Sequence, residues 1–256
     1  MSSINKAIIP AAGLGKRMRP LTSYLPKPML PLGKKPVLEH IVDEVKASGI
    51  TDILIITRSD HRSVINYFGE KSKITIKIDD SKGGPGQAIL KGKEFIGKDS
   101  FLIVFADAPL GGQRKEQAVA EMIEAFENKS PEALLSIYPV TKREATYRGI
   151  VKGEEKIEAT KQIKITNIKE KPEELHTSHP WASTCRYILK TEIFDALKSA
   201  DRDENGELQL TAGIKKLLDR NREVIGVPLP KGIKRHDTGN FEGYFEAFAR
   251  FTDTNF

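Results

Sequence analysis

Short apolar runs alternate with amphipathic segments along the first half of the chain. Lys6–Pro10, Asp52–Thr57 and Phe101–Phe105 are compact and mostly apolar, as expected of strands that are buried on both faces of a parallel sheet. Val37–Ser48 carries its apolar residues on one helical face, and Gly49 follows as a helix end. This part of the chain therefore predicts buried strands that are joined by helices.

The same alternation continues through Val140. The spacing predicts further helices and strands at Arg62–Phe68, Thr75–Ile78, Gln87–Phe95, Glu116–Asn128 and Leu134–Val140. Repeated strand–helix units are typical of an α/β fold, and we expect a three-layer, mostly parallel, Rossmann-like sheet flanked by helices. Ligands of such sheets bind beyond the carboxyl ends of the strands. The loop that begins at Ala11 and the residues just after Phe105 should therefore lie on one rim.

The second half of the chain has a more mixed pattern. Strand-like and helical pieces follow one another less regularly, at Gly149–Val151, Ile163–Lys169, Ala182–Leu189, Glu192–Ser199, Leu210–Asp219 and Phe241–Phe251. The sequence contains no repeat and no low-complexity tract. We expect a single domain over residues 1–256, in which residues 141–256 add a small mixed β extension to the main sheet.

Composition narrows the classes of protein that fit. With 256 residues and ordinary apolar and charged content, the chain suits one globular α/β domain. It has no apolar run long enough for a membrane span, and its first residues enter a strand at once, which leaves no room for a signal peptide. The lone Cys185 has no internal disulfide partner, so a reducing cytoplasm is the expected compartment.

The net charge of +6 raises the question of a nucleic-acid partner. The basic residues are scattered and alternate with acidic ones along the predicted helices, without a basic arm or block. A small phosphorylated ligand explains the excess as well as a nucleic acid does. No nucleic-acid partner is therefore expected.

The most unusual stretch is the loop Ala11–Leu32, between the first strand and the first long helix. Gly13 and Gly15 allow the backbone to turn sharply and to present its N–H groups outward. Arg17 and Lys27 place positive charge beside those amides, and three prolines stiffen the second half of the loop. Amides and cations at the end of a strand suit a nucleotide polyphosphate, whereas a bare glycine pattern more often marks a plain connection.

Longer motifs give this loop a family context. The segment G-L-G-K-R-M-R-P-L-T…P-K-P-M-L-P-L resembles the signature of the sugar-1-phosphate nucleotidylyltransferases. The later stretches R-Y-I-L-K-T-E-I-F-D-A-L and G-E-L-Q-L-T resemble the bacterial and archaeal members that act on UTP and glucose 1-phosphate. The likeness runs through roughly the whole chain in the same order. It implies an enzyme that joins a nucleoside triphosphate to a sugar 1-phosphate and releases pyrophosphate.

The resemblance also implies roles for residues at matching positions. Residues 1–140 would form the nucleotide-binding half and residues 141–256 the sugar-phosphate-binding half of a homo-oligomer with Mg²⁺ as cofactor. Expected nucleotide-binding residues are Ala11, Ala12, Gly13, Gly15, Gly84 and Gly86, and expected catalytic residues are Arg17, Lys27 and Asp107. Expected sugar-phosphate-binding residues are Gly149, Glu170 and Lys171, and expected magnesium ligands are Asp107 and Asp237.

The two acidic residues also have a plainer interpretation. By position alone, Asp107 could hold Mg²⁺ through one oxygen or simply cap a turn or a helix. Asp237, in K-R-H-D-T-G-N, could merely cap the helix that begins at Phe241. The metal role requires the fold to bring these two carboxylates together from distant parts of the sequence.

Three positions depart from the pattern of the family. Relatives place a glutamine where this chain has Asp79–Ser81, and a carboxylate accepts hydrogen bonds but does not donate them. Ala108 and Ala212 also replace residues that are usual in the family. Two alternatives therefore stay open: the same reaction with another nucleotide such as dTTP or with another sugar 1-phosphate, and a non-catalytic subunit that binds sugar nucleotides.

Overall fold

A computed structural model of the protein describes residues 4–155, 162–172 and 180–252. Within these ranges the elements in chain order are β1 (Lys6–Pro10), β2 (Pro31–Leu32), β3 (Lys35–Pro36), α1 (Val37–Ala47), β4 (Asp52–Thr57), α2 (Arg62–Gly69), β5 (Ile74–Ile78), α3 (Pro85–Lys91), α4 (Lys93–Ile96), β6 (Phe101–Val104), β7 (Leu110–Gly111), α5 (Gln117–Lys129), β8 (Ala133–Pro139), α6 (Lys142–Ala145), β9 (Gly149–Glu155), β10 (Ile163–Glu170), β11 (Trp181–Leu189), α7 (Glu192–Lys198), α8 (Leu210–Asp219), β12 (Val224–Pro228), β13 (Lys234–Arg235) and α9 (Phe241–Thr252).

Nine of these strands form one sheet in the order β5-β4-β1-β6-β11-β8-β12-β10-β9. The pairs β4–β5, β1–β4, β1–β6 and β8–β12 are parallel, and the other neighbours are antiparallel. Taken together, these pairings show that β10 and β11 are antiparallel to the other seven strands. The prediction of a mostly parallel α/β sheet is therefore confirmed.

Helices cover both faces of the sheet. The alternation of side chains along β1 puts Ala7 and Ile9 into a core with α1, α2 and α5, while Ile8 packs on the opposite face with α3, α7 and α8. The three layers expected from the sequence are thus present. No helix among the described residues combines the length and the apolarity that crossing a membrane requires.

One predicted element differs in a way that has a clear cause. The sequence pattern predicts a continuous helix over Gln87–Phe95, but the structure has two helices, α3 and α4, with Gly92 between them. A Cβ at Gly92 would lie 2.3 Å from Cδ1 of Ile8. Glycine is a poor helix former, and here it also lies against β1, where a side chain would displace that of Ile8.

Candidate active site

The loop that follows β1 is folded back on itself by short-range contacts. Gly15 has a left-handed backbone conformation with φ +61°, and its carbonyl accepts a hydrogen bond of 2.8 Å from Thr22 Oγ1. A Cβ at Gly15 would lie 2.9 Å from Thr22 Cγ2 and 3.2 Å from Lys27 Cβ. Glycine is therefore required here on two grounds, and the tight fold brings Lys27 beside the amides of the loop.

A cleft of about 250 Å³ opens between this loop and the start of α3. We call it the amide cleft, because backbone flanks it on both sides: Ala11–Gly15 on one and Lys82–Pro85 on the other. A Cβ at Gly13 would meet nothing within 4 Å, so the backbone there borders open space. Predicted residues Ala11, Ala12, Gly13, Gly15 and Gly84 all line this cleft.

Gly86 lies behind the wall of the amide cleft and is not among its lining residues. Its N–H donates to Leu208 O at 2.7 Å, and a Cβ would lie 2.8 Å from that oxygen. Gly84, with φ +86°, makes a similar close approach to Leu208. The structure thus gives Gly86 a packing role, in contrast to the direct nucleotide contact expected from the sequence.

Cations gather at one end of the amide cleft. A neighbouring space of about 260 Å³ shares Ala12, Gly13 and Gly15 with the amide cleft and adds Lys16, Arg17 and Gly239 to its lining. A Cβ built on Gly239 would lie 3.0 Å from Arg17 Nη2, 3.1 Å from Lys27 Nζ and 2.8 Å from Asp237 Oδ1. The two predicted cations and one predicted carboxylate therefore surround a single point.

A short ladder brings the two predicted metal ligands together. β7 and β13 pair antiparallel, with Arg235 opposite Leu110. Beyond the ladder, the N–H and the hydroxyl of Thr238 both donate to Asp107 O, at 3.2 and 3.0 Å. These contacts hold the loop of Asp237 against the loop of Asp107 at the rim of the sheet.

The carboxylate of Asp107 is held in its charged form. Burial opposes its ionisation, but Lys27 Nζ lies 2.5 Å from Asp107 Oδ2, and Arg235 and Arg17 add further positive charge. Together these cations lower the pKa of Asp107 to about 2. The side chain of Asp107 is nevertheless 36% exposed, so the carboxylate remains accessible from the clefts.

Asp237 is engaged on both of its oxygens. Oδ1 accepts a hydrogen bond of 2.9 Å from Gly239 N, and Oδ2 accepts one of 3.3 Å from Arg148 Nη1. Arg235 Nη1 lies 3.9 Å from the same Oδ2. No group of three or more His, Cys, Asp or Glu residues suits a metal ion within the part of the chain that the structure describes. Any ion at Asp107 and Asp237 would therefore take its remaining ligands from substrate and water.

A third space, of about 200 Å³, lies on the other side of Asp107. We call it the charged cleft, and its lining includes Arg148, Gly149, Glu170, Lys171, Arg235 and Asp237. A Cβ at Gly149 would lie 3.0 Å from Glu170 Oε2 and 3.2 Å from Thr211 Cγ2. The three predicted sugar-phosphate residues thus lie together, and glycine leaves room for the carboxylate of Glu170.

Glu170 and Lys171 of the E-K-P motif have different environments. Burial raises the pKa of Glu170, although Lys171 and a hydrogen bond of 3.4 Å from Thr211 Oγ1 oppose the rise. Lys171 is exposed and has a positive φ of +41°, and its N–H donates to Arg148 O at 2.9 Å. The buried carboxyl suits neutral hydroxyl groups, whereas the exposed ammonium suits an anion.

Sequence reasoning missed several residues of the charged cleft. Arg148, Cys185, Thr211 and Arg235 line it, yet none was expected to take part. Two of them lie next to predicted motifs: Arg148 directly precedes Gly149, and Arg235 is two residues before Asp237 on an extended segment, where alternate side chains share a face. That spacing is the signal that could have found them.

Asp79 lies in the wall of the amide cleft, as the departure from the family pattern anticipates. The residue is 4% exposed, and its Oδ1 accepts a hydrogen bond of 3.2 Å from Ser81 N. Lys82 follows with a positive φ of +55° and lines the same cleft. An acceptor and a cation therefore line this part of the amide cleft.

Comparisons with known proteins give the family and the fold of the chain. The family model described as "Nucleotidyl transferase" matches residues 6–254. The UTP–glucose-1-phosphate uridylyltransferase of Mycoplasma pneumoniae is 33% identical and covers 96% of this chain and 92% of its own. The enzyme of that name from Escherichia coli K12 is 29% identical over 98% of this chain and 91% of its own. A structure of UDP-glucose pyrophosphorylase complexed with UDP-glucose has a TM-score of 0.87 at 29% identity, covering 96% of this chain and 97% of that one.

Proposed function

The chain belongs to the nucleotidyl transferase family, and we propose that it transfers a uridylyl group from UTP to glucose 1-phosphate, giving UDP-glucose and pyrophosphate. One observation carries the proposal: the amide cleft and the charged cleft share Asp107, where cations and carboxylates from both halves of the chain meet. A nucleotide in one cleft and a sugar phosphate in the other would place their phosphates side by side.

The reaction needs positioning and charge neutralisation more than covalent help from the protein. An oxygen of the sugar phosphate attacks the α-phosphorus of UTP. The bond from that phosphorus to the oxygen bridging to the β-phosphate breaks, and pyrophosphate leaves with the bonding electrons. The attacking oxygen is already ionised at neutral pH, so no general base is required.

The two clefts divide the work of holding the substrates. The amides of Ala12 and Gly13 approach the nucleotide, while Arg17 and Lys27 neutralise the charge that builds on pyrophosphate. Across Asp107, Lys171 binds the sugar phosphate and Glu170 accepts hydrogen bonds from sugar hydroxyls. A preorganised donor at such a site contributes on the order of 3 kcal/mol to transition-state stabilisation.

Asp107 and Asp237 suit Mg²⁺ as a shared ligand pair. Mg²⁺ is usually held by one or two carboxylates together with substrate phosphates and water, and Asp107 is both ionised and partly exposed. When bound, the ion supplies positive charge to the reacting phosphates. Asp107 and Asp237 would hold the ion; Lys27 is paired with Asp107, and the amide of Gly239 donates to Asp237 and keeps its loop in place.

A substrate panel tests the proposal. Four nucleoside triphosphates (UTP, dTTP, ATP and GTP) are each combined with glucose 1-phosphate, galactose 1-phosphate or N-acetylglucosamine 1-phosphate, and pyrophosphate release is followed with Mg²⁺ and with EDTA. We expect the highest kcat/KM for UTP with glucose 1-phosphate, and no release in EDTA. A clear preference for another nucleotide or sugar phosphate would show that the proposed substrates are wrong. Binding of UDP-glucose without any turnover would show that the protein binds sugar nucleotides but is not an enzyme.

The assembly and the compartment are further parts of the proposal. The resemblance to family members supports a homo-oligomer, and the single cysteine, free and partly buried, supports a reducing compartment such as the cytoplasm. Light scattering at several protein concentrations gives the mass in solution. A monomer at all concentrations would refute the oligomer.

A further inference from the structure

Arg235 is a buried cation whose hydrogen-bonding capacity is largely unused. Its side chain is 7% exposed, and its Nε and Nη1 are buried without a hydrogen-bond partner among the described residues. Nη2 contacts the Cys185 sulfur at 3.9 Å, and Nη1 is 3.9 Å from Asp237 Oδ2, which is too long for a hydrogen bond. Buried donors of a charged group are rarely left unpaired, so a missing partner is expected here.

Arg148 shows the same feature on the other side of the same carboxylate. Its side chain is 14% exposed, its Nη1 donates to Asp237 Oδ2 at 3.3 Å, and its Nε is buried without a partner among the described residues. Both guanidinium groups line the charged cleft. Asp237 therefore faces two arginines and cannot satisfy the donors of both.

The charge of the cleft points to an anion as the missing partner. Four cationic side chains and three carboxyl groups line it: Arg17, Arg148, Lys171 and Arg235 against Asp107, Glu170 and Asp237. Asp107 is already paired with Lys27, which leaves four cations facing Glu170 and Asp237. A net positive cleft with unpaired guanidinium donors matches a phosphate group, whose oxygens accept several such bonds.

The position of the two arginines decides which phosphate this is. Neither Arg148 nor Arg235 lines the amide cleft or its cationic end. Arg148 is instead tied to the E-K-P segment through the hydrogen bond from Lys171 N. The phosphates of a nucleotide in the amide cleft would reach Arg17 and Lys27 first.

We propose that Arg235, with Arg148, binds the phosphate group of the sugar 1-phosphate in the charged cleft and presents it beside Asp107. The proposal rests on the proposed function and names two residues for the second substrate that the motifs do not mark. Because both contacts are made to the ground-state substrate, their loss should weaken binding of the sugar phosphate more than that of UTP.

Steady-state kinetics of Arg235→Gln provides the test. We expect KM for glucose 1-phosphate to rise at least tenfold, with KM for UTP changed less than twofold. Arg235→Lys should fall between, because a lysine keeps the charge but loses the planar set of donors. Lys234→Gln is the matched control, since Lys234 lies on the same strand, is 61% exposed and pairs with Glu246; it should leave both KM values unchanged.

A binding measurement separates this inference from the proposed function. Calorimetry with glucose 1-phosphate, inorganic phosphate and glucose should show that the wild type binds the first two and that Arg235→Gln loses both. If the wild type shows no turnover with any sugar phosphate but binds phosphate through Arg235, the proposed function falls and the anion site stands. An unchanged KM and unchanged phosphate binding in Arg235→Gln would overturn the inference. If Arg235→Gln fails to fold, the same KM and phosphate-binding measurements on Arg148→Gln test the inference with the same expected results.

Discussion

The amide cleft and the charged cleft meet at Asp107 but are built in different ways. Much of the amide cleft is lined by two short glycine-containing stretches, Ala11–Gly13 with Gly15 and Lys82–Pro85, and the rest of its lining includes Lys27, Asp79 and Phe105–Asp107. The charged cleft takes its side chains from β9, β10, β11, α8 and β13 and from the loops next to them. Glycine-containing loops therefore supply much of one cleft, whereas charged side chains from many elements supply most of the other.

This difference predicts where each cleft is vulnerable. Where backbone lines a ligand site, the sensitive change is an added side chain that occupies the space. Where side chains line the site, binding should be most sensitive to the loss of a charged side chain or of the packing that positions that side chain. Variants that distinguish the two clefts, or damage both, test this contrast directly.

The largest effect is expected from the buried ion pair that supports both clefts. Arg186 and Glu44 are 0% and 1% exposed, and two hydrogen bonds of 2.7 and 2.8 Å join them. Arg186 Nη1 also donates to Ala108 O beside Asp107 and to Thr184 O beside Cys185, both at 2.7 Å. Glu44→Gln should lower the free energy of unfolding by about 3–5 kcal/mol, because it leaves a buried charge without its partner.

Urea denaturation measures this loss. Asp43→Asn is the matched control, since Asp43 is the neighbour of Glu44 on α1, its pair with Lys35 of β3 is exposed, and such a pair contributes about 1 kcal/mol or less. KM values for both substrates should rise in Glu44→Gln, because the support is shared. A loss no greater than that of Asp43→Asn would show that the pair does not support the rim.

Lys27→Ala should separate catalysis from stability. Lys27 contacts Asp107 at 2.5 Å and lies at the cationic end of the amide cleft. Removing this cation should lower kcat/KM about a hundredfold, which corresponds to roughly 3 kcal/mol. The melting temperature should fall by less than in Glu44→Gln: the pair with Lys27 stabilises the folded state, but Asp107 is partly exposed, so water can replace part of what the ammonium group supplies. Lys34→Ala, an exposed lysine outside the clefts, serves as the control; near-normal turnover in Lys27→Ala would remove Lys27 from the site.

A pair of glycine variants sharpens the contrast between the clefts. Gly13→Ala adds a methyl group that meets no residue other than its chain neighbours within 4 Å, at a position that lines the amide cleft, so it changes the cleft wall without straining the fold. KM for UTP should rise about tenfold, equivalent to about 1.4 kcal/mol, with KM for glucose 1-phosphate unchanged. Gly149→Ala places its methyl 3.0 Å from Glu170 Oε2 and should show the reverse pattern.

Gly69→Ala is the control for both glycine variants. A Cβ at Gly69 also meets no atom within 4 Å, but the residue ends α2 outside all the clefts described above. Its kinetic constants should equal those of the wild type. Equal effects of Gly13→Ala and Gly149→Ala on both substrates would contradict the division of the site into two clefts.

The smallest effect is a difference in pH dependence. Asp107, with a pKa of about 2, stays ionised through the mildly acidic range, whereas burial raises the pKa of Glu170, so that Glu170 takes up a proton first as the pH falls. KM for glucose 1-phosphate should therefore rise on acidification, by less than tenfold, before KM for UTP does. In Glu170→Gln this rise in KM should be absent, and only the pH dependence that comes from the titration of glucose 1-phosphate itself should remain.

The same shifts have opposite consequences for folding. The lowered pKa of Asp107 stabilises the folded state above the pKa of the unfolded state, and this contribution is lost as the pH falls toward 2. The raised pKa of Glu170 favours the folded state at low pH, and that contribution is lost as the pH rises through the folded-state pKa. Thermal unfolding of Glu170→Gln should consequently vary less with pH between 4 and 7 than that of the wild type.

Local patterns were sufficient for much of the fold. The predicted strands Lys6–Pro10 and Asp52–Thr57 and the predicted helix Leu210–Asp219 match the structure residue for residue. Each is marked by apolar residues at strand or helix spacing. The break at Gly92 was missed although a glycine inside a helical pattern is a local weak point; its close approach to Ile8 could not be read from the sequence, because Ile8 lies far away in the chain.

The sequence by itself determined the α/β alternation and the glycine–lysine loop of the amide cleft, since these depend on residues that are close together in the chain. Only the tertiary structure decided that Arg148 and Arg235 flank Asp237, that Gly86 packs on Leu208, and that β11 lies between β6 and β8. The physical reason is that strand order and register bring distant segments together. An apolar pattern specifies that a strand is buried but leaves its neighbours undetermined.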